Sequence, residues 1–222
     1  MTSDLTSVPP PAPDTAALAV QSTKASQSLL VRIAQRYGVE QTQMLKTLKD
    51  TAFRTSKDVS NEQMVALLVV AEQYKLNPFT KELFAFPDDR AGIVPVVSID
   101  GWTRIMQEHP EFDGYDVRWS DEFVEWEGKQ VPTWCEIVMY RKDRGHQIVH
   151  REWFDEVRRG TSPWKSHPRR MLEHKTVIQT ARRTFGFAGI YDEDEAQRIG
   201  EVTVITPKES AVTQINATLR AG

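Results

Sequence analysis

Ser60–Val97, SNEQMVALLVVAEQYKLNPFTKELFAFPDDRAGIVPVV, changes its apolar period part-way along, and that change decides the fold class. In the first half Ser60 followed by Gln63 makes a capping box, and Met64, Leu67, Leu68, Ala71 and Tyr74 fall on one helical stripe. Asn77-Pro78 is expected to end that helix, because proline disfavours helical backbone at the preceding residue and has no N–H to give the ladder. Beyond it the period drops to two. Leu83–Phe86 and Ile93–Val97 are β-prone runs on either side of Asp88-Asp89-Arg90-Ala91-Gly92, a hairpin signal, and Pro95 marks the second run as an edge or bulged strand. Helix and antiparallel hairpin side by side point to an α+β fold.

Towards the N-terminus, Leu30, Ile33, Ala34 and Tyr37 fit one helical face and Met44, Leu45, Leu48 and Ala52 another. Residues 1–26 are rich in Pro, Ser, Thr and Ala and read as a flexible arm. Towards the C-terminus a helix is expected over Asp100–Glu108, stopped by Pro110. Tyr115–Trp126 and Val131–Arg141 alternate around Glu127-Gly128-Lys129 and read as a long antiparallel hairpin, with a third strand over His146–Trp153. Pro168–Phe185 is helical: Met171, Val177, Ile178, Ala181 and Phe185 supply its apolar face, leaving Arg170, Lys175 and Arg182 for the surface. The core pattern fades after Ile199, so the expected organisation is a core domain over 27–200 and a tail over 201–222. The core is expected to pack its helices on a small antiparallel sheet.

The 222 residues include 28 Lys/Arg and 31 Asp/Glu, a formal net charge of -3. That total hides a polarity, because Arg141–Arg183 holds twelve Lys/Arg against five Asp/Glu, with four of the five histidines. No stretch approaches the roughly 20 apolar residues of a membrane span, and the N-terminus does not read as a secretory signal. The lone cysteine, Cys135, excludes a disulfide within the chain and suits a reducing compartment, so the cytoplasm is the expected location.

The basic segment is interleaved with Trp153, Phe154, Trp164, Phe185 and Phe187. Cations neutralise phosphates and flat rings stack on unpaired bases at about 1–3 kcal/mol per base, a combination suited to single strands. The plainer reading puts the aromatics in a core, and Phe185 and Phe187 are assigned there. The enzymatic alternative is divalent-metal-dependent DNA cleavage, since Pro87-Asp88 and Glu127-Gly128-Lys129 loosely match a Pro-Asp plus Glu-x-Lys pattern, although both pieces fall at expected turns. Asp192, Asp194 and Glu195 are read as acids at a helix N-terminus rather than a cation site. His146 and His150, two pleats apart on a strand, are about 13 Å apart and too distant to share zinc. His167 and His174 read as ordinary surface histidines that could meet phosphate when protonated, and Cys135 as a small core side chain. No Gly-x-x-x-x-Gly-Lys loop is present, so events on the nucleic acid are expected to run without ATP hydrolysis.

Several strings, taken together, resemble the phage recombination protein Bet family, the lambda Red-beta-like single-strand annealing proteins related to RecT. They are Leu76-Asn77-Pro78-Phe79-Thr80-Lys81-Glu82, Gly92-Ile93-Val94-Pro95-Val96-Val97, Asp100-Gly101-Trp102-Thr103-Arg104-Ile105 and Tyr140-Arg141-Lys142-Asp143-Arg144. Ser166-His167-Pro168-Arg169-Arg170-Met171-Leu172, His174-Lys175 and Ala181-Arg182 follow, ahead of Phe185-Gly186-Phe187-Ala188-Gly189-Ile190-Tyr191-Asp192. The strings span roughly residues 45–199.

The resemblance implies a compact α+β core with a basic DNA-binding groove. It implies a non-enzymatic, ATP-independent protein that coats single-stranded DNA and pairs complementary strands in phage homologous recombination. It further implies a homo-oligomer, ring or helical filament, that holds the annealed duplex in the bacterial host cytoplasm. No cofactor is expected, a divalent cation serving at most to screen phosphates. On this resemblance Lys81, Lys142, Arg169, Arg170, Lys175 and Arg182 are candidate phosphate contacts. Arg104 and Arg141 are weaker candidates, since either could equally pair with a carboxylate. Glu193 stands where some relatives are basic and receives no DNA contact. Family members also engage a phage exonuclease and a host single-strand binding protein through a further C-terminal domain, whereas about 31 residues follow Tyr191 here. Replacing Arg170 and Lys175 by alanine is expected to weaken strand binding and leave stability nearly unchanged.

Overall fold

The computed structural model describes residues 29–53, 58–88 and 92–203. The expected arm, the turn residues 89–91 and residues 204–222 of the expected tail lie outside the described residues. The chain divides into two compact units, one ending at Thr47 and the other beginning at Leu48, so the division falls inside a helix.

In the first unit, helix α1 over 29–37 buries Leu29, Ile33 and Ala34. Helix α2 (Gln41–Thr51) starts behind Glu40, whose carboxylate accepts the backbone N–H groups of Thr42 and Gln43 at 3.1 and 3.0 Å. An acid placed there meets unpaired N–H groups and the positive end of the helix dipole. The Thr42 hydroxyl and these N–H groups hold the Glu40 carboxyl below its ordinary value.

The second unit opens its main elements with α3 (Asn61–Tyr74), which carries the capping box as read. The Gln63 N–H donates to Ser60 Oγ at 3.2 Å and the Ser60 N–H to Gln63 Oε1 at 3.0 Å. Met64, Leu67, Leu68 and Ala71 form its buried stripe. The stop differs from expectation, because the helix ends at Tyr74, short of Asn77-Pro78. Lys75 takes a left-handed backbone, φ 54°, and the Leu76 N–H turns back to Ala71 O at 2.9 Å, so the end is satisfied before proline's restriction applies. Asn77-Pro78 instead opens a 3-10 turn over Pro78–Thr80, the Asn77 side chain accepting the Phe79 N–H at 2.9 Å.

Strands β1 (Leu83–Asp88) and β2 (Gly92–Val97) pair antiparallel, Leu83 opposite Val97 and Asp88 opposite Gly92. Pro95 does not bulge β2, which is an edge strand of this two-stranded sheet, one of the two forms expected. Its backbone faces Tyr191, whose N–H donates to Pro95 O at 3.1 Å and whose carbonyl accepts the Val97 N–H at 2.9 Å. The missing proline N–H therefore removes no bond from the ladder to β1. Helix α4 (Ile99–Gln107) follows, with the Gly101 N–H donating to the Ser98 hydroxyl at 3.3 Å.

The expected long hairpin is present but split into two ladders. Strand β3 (Phe112–Trp119) leads to a two-stranded ribbon of β4 (Phe123–Trp126) and β5 (Lys129–Pro132), after which β6 (Trp134–Arg141) returns beside β3. The split lies at Ser120 and Thr133, where the Thr133 hydroxyl donates to Ser120 Oγ at 2.7 Å. The ribbon turns on Glu127 and Gly128, both left-handed at φ 50° and 72°, as the twist of a two-residue hairpin turn requires. Strand β7 (Ile148–Trp153) completes a three-stranded sheet in the order β3-β6-β7.

Helix α7 (Pro168–Phe185), with the boundaries read from sequence, lies on one face of that sheet. Cys135, Ile137 and Met139 of β6 pack with its Leu172, Val177 and Ala181. Phe154 and Val157 of α5 (Phe154–Val157) and Trp164 of α6 (Ser162–Ser166) join the same core. Thr176, Thr180 and Thr184 are buried too, each hydroxyl donating to the carbonyl four residues back. Those bonds conceal the polar groups, so a binary pattern counts the threonines as surface. Helix α8 (Glu193–Thr203) contributes Ala196 to a smaller core with Phe84, Val94 and Val96. The fold is α+β, helices on small antiparallel sheets, as expected.

A candidate nucleic-acid cleft

Within the second unit, the start of α4, the 3-10 turn, α7 and α8 surround a cleft of about 520 Å³. Lys81 reaches it from the turn, and Met171, His174, Lys175 and Ile178 reach it from α7. Asp100 and the run Asp192-Glu193-Asp194 supply acids to its wall.

The turn is held by its own sequence. The Asn77 N–H donates to the Glu82 carboxylate at 2.8 Å, and Glu82 also accepts Arg104 Nη1 at 3.0 Å. Lys81, between them, has a left-handed backbone at φ 63° and an exposed side chain. On α7, His174 follows Arg170 by one turn. Burial, and then the Arg170 charge, hold the imidazole below its ordinary value of 6.5, with Asp100 pulling the other way. A neutral ring is thus favoured beside the cations.

Lys175 is not a surface lysine: its side chain is 13 % exposed, and its ammonium is paired with Asp192 and, at 3.4 Å, with Glu195. Arg182 pairs with the same Glu195 at 2.8 Å. The expectation that both stand on an open surface is corrected by α8, whose first turn covers them. Burial pushes the Asp192 carboxyl up and the Glu195 charge adds to that, against the pull of Lys175. Burial would raise Glu195 as well, but Lys175 and Arg182 outweigh it and its carboxyl lies below the ordinary value. The reading of these acids as a helix start holds, since the Asp192 carboxylate accepts the Glu195 N–H at 3.0 Å. Asp194 accepts the indole N–H of the fully buried Trp164 at 2.9 Å.

The other candidates separate from the cleft. Arg104 is tied to Glu82 and Glu108, and Arg141 grips Asp143 with two bonds of 2.7 Å while donating to Thr184 O at 2.7 Å. Both arginines serve internal pairs, the alternative kept open for them. Arg169 is exposed but points towards β3, its guanidinium 4.4 Å over the Trp119 ring. Lys142, exposed in the turn after β6, donates to Pro110 O at 3.4 Å. Of the five interleaved aromatics, Phe154 and Trp164 are core residues, Phe185 and Phe187 are half-buried against the core, and Trp153 is 41 % exposed. Stacking by the whole set is thereby corrected: alternate strand residues and helix starts turn most of these rings inward.

The acids of the cleft wall and His174 are what sequence reasoning missed as members of one site. The signal was partial, since spacing puts His174 beside Arg170 but says nothing of α8. The Asp88 and Glu127-Gly128-Lys129 pieces of the nuclease reading lie on two separate sheets. Glu127 pairs with Lys165 at 3.2 Å and Lys129 Nζ donates to Lys165 O at 2.8 Å. Among the described residues no three His, Cys, Asp or Glu side chains are gathered as metal ligands, and no helix is long and apolar enough to cross a membrane.

The RecT family model matches residues 40–207. This chain belongs to the RecT family. Over 205 residues it is 46 % identical to the recombination protein bet of Escherichia phage lambda, an alignment covering 85 % of this chain and 74 % of that protein. Every residue of the cleft falls inside the RecT-family span.

Proposed function

We propose that this RecT-family chain is an ATP-independent, non-enzymatic single-strand annealing protein of phage recombination, and that the cleft holds the backbone of the first strand. The observation that carries the reading is RecT-family membership over residues 40–207, within which Lys81, from the Asn77-Pro78 turn, and Lys175 of α7 line one cleft. Two strands repel through their phosphates, and a groove that neutralises one backbone while leaving base edges outward relieves that repulsion. Base pairing then supplies the specificity, so the protein needs only charge and shape. Similarity to a recombination protein of phage lambda supports the same role.

On this reading the working form is a homo-oligomer, ring or helical filament, in which neighbouring subunits continue the groove. Its ligands are single-stranded DNA and the annealed duplex, in the cytoplasm of the bacterial host. A phage exonuclease and the host single-strand binding protein are its proposed partners. No cofactor takes part, and a divalent cation only screens phosphates. The test is the pairing of complementary oligonucleotides without ATP, beside particle imaging of the products. Faster pairing than by the DNA alone, on ordered assemblies, is the expected result. Unchanged pairing rates, or strands shortened in magnesium, would reject annealing, the second outcome in favour of a nuclease.

A further inference from the structure

Lys175 and Arg182 are seven residues apart on α7, two turns along one stripe. Glu195 reaches both, and Gln179 between them donates to the same carboxylate at 2.6 Å. Asp192 takes the Lys175 ammonium on its other side. The side chains of all four charged residues are at most 25 % exposed, and the cluster is formally neutral.

We infer that Asp192 and Glu195 are positioning residues for strand binding, occupying on Lys175 and Arg182 the places that backbone phosphates take, so that a strand binds by exchange of carboxylate for phosphate. The inference rests on the annealing function proposed above and adds how the site is regulated. Three observations support it. Lys175 and Asp192 both line the open cleft, so a phosphate can approach the pair without α7 leaving the sheet. Carboxylate and phosphate oxygens satisfy ammonium and guanidinium donors in the same manner, so one replaces the other without rebuilding the donors. Asp192 and Glu195 both reach Lys175 while Glu195 is also held by Arg182, so the two cations and two acids already balance before a strand arrives. The consequence is a hold that is pre-aimed but weak, because a cation already paired neutralises little extra charge when a strand arrives. A strand held in this way can shift register until its complement matches.

The test is binding of a fluorescent oligo-dT strand to the full chain across a salt series. Asp192→Asn keeps the helix cap, since Asn caps as well as Asp, and Glu195→Gln keeps the oxygen that Gln179 uses. In the double variant, binding is expected to tighten about tenfold near 0.1 M salt. The slope of log affinity against log salt should steepen by about 1.4, from roughly 0.7 for each of two released cations. Glu195→Gln alone should give about half of that slope change and decides the matter if the double variant does not fold. Unchanged affinity and slope, or weaker binding, in folded variants of a binding-competent wild type would overturn the exchange and leave annealing standing. A wild type that binds no strand at any salt would overturn both.

Discussion

Gly101 shows how one residue places the cleft's turn. A Cβ there would lie 2.5 Å from Glu82 O and 2.7 Å from Val97 Cγ1, inside any tolerable contact. In an open helix, replacing glycine by alanine gains about 1 kcal/mol. Here the nearest atom is a backbone carbonyl beside Lys81 and cannot swing away, so overpacking reverses the sign. Gly101→Ala is expected to cost about 1–3 kcal/mol, read as a lower urea midpoint at unchanged slope. A stabilised variant would show that α4 does not approach the turn this closely. Cys135 is a plainer case: fully buried, its thiol pushed up to about 12 by burial, it is the core side chain that its alternating strand suggested.

At the scale of the element, α7 is both a core helix and the carrier of the site's charge. Burial of His174 disfavours its charged form, and repulsion from Arg170 one turn away adds to the penalty against the pull of Asp100. The folded chain therefore binds the imidazole proton less readily than the unfolded chain does, near 6.5. Stability from this group is full above that value and is lost as pH falls below it towards the folded-state value. Urea unfolding from neutral to mildly acidic pH should show that loss in the wild type and not in His174→Gln. A histidine resonance titrating at or above 6.5 in the folded protein would refute the account. The ends of α7 were legible because Pro168 starts it and Gly186, at φ 73°, closes it. Its buried threonines were not, since a hydroxyl bonded to its own helix looks polar in sequence and behaves as apolar in the core.

For the molecule as a whole, net charge is a poor guide to partners. The total of -3 conceals a basic segment, and the segment in turn conceals pairing, because Arg141, Lys175 and Arg182 are already matched to acids. Lys81 and Arg170 are exposed. Replacing both by alanine is expected to weaken single-strand binding evenly across sequences and to reduce the salt slope by about 1.4, with thermal stability unchanged. Fluorescence anisotropy beside calorimetry checks this, and loss of folding would assign them a structural role. Lys175 no longer belongs with such surface substitutions. Its removal strands the buried Asp192 carboxylate, while Glu195 keeps Arg182, a change that typically costs about 3–5 kcal/mol.

The α+β class, the capping box and stripe of α3, the strand runs and the extent of α7 are written in the order of the residues. Each of these follows from near neighbours: a cap three residues away, an alternation of two, a proline or glycine at an end. The family strings also nominated Lys81, Arg170 and Lys175. That Lys81 and Lys175 share a cleft, that Asp192 and Glu195 neutralise Lys175 and Arg182, and that Arg104 and Arg141 are internal ties follows instead from packing between distant elements. Ion pairing depends on which helix packs across which, and Lys175 and Asp192, seventeen residues apart, meet only because α8 folds back beside α7. Local spacing carries no information about such a contact, since the energy that selects it comes from burying the core beneath both helices.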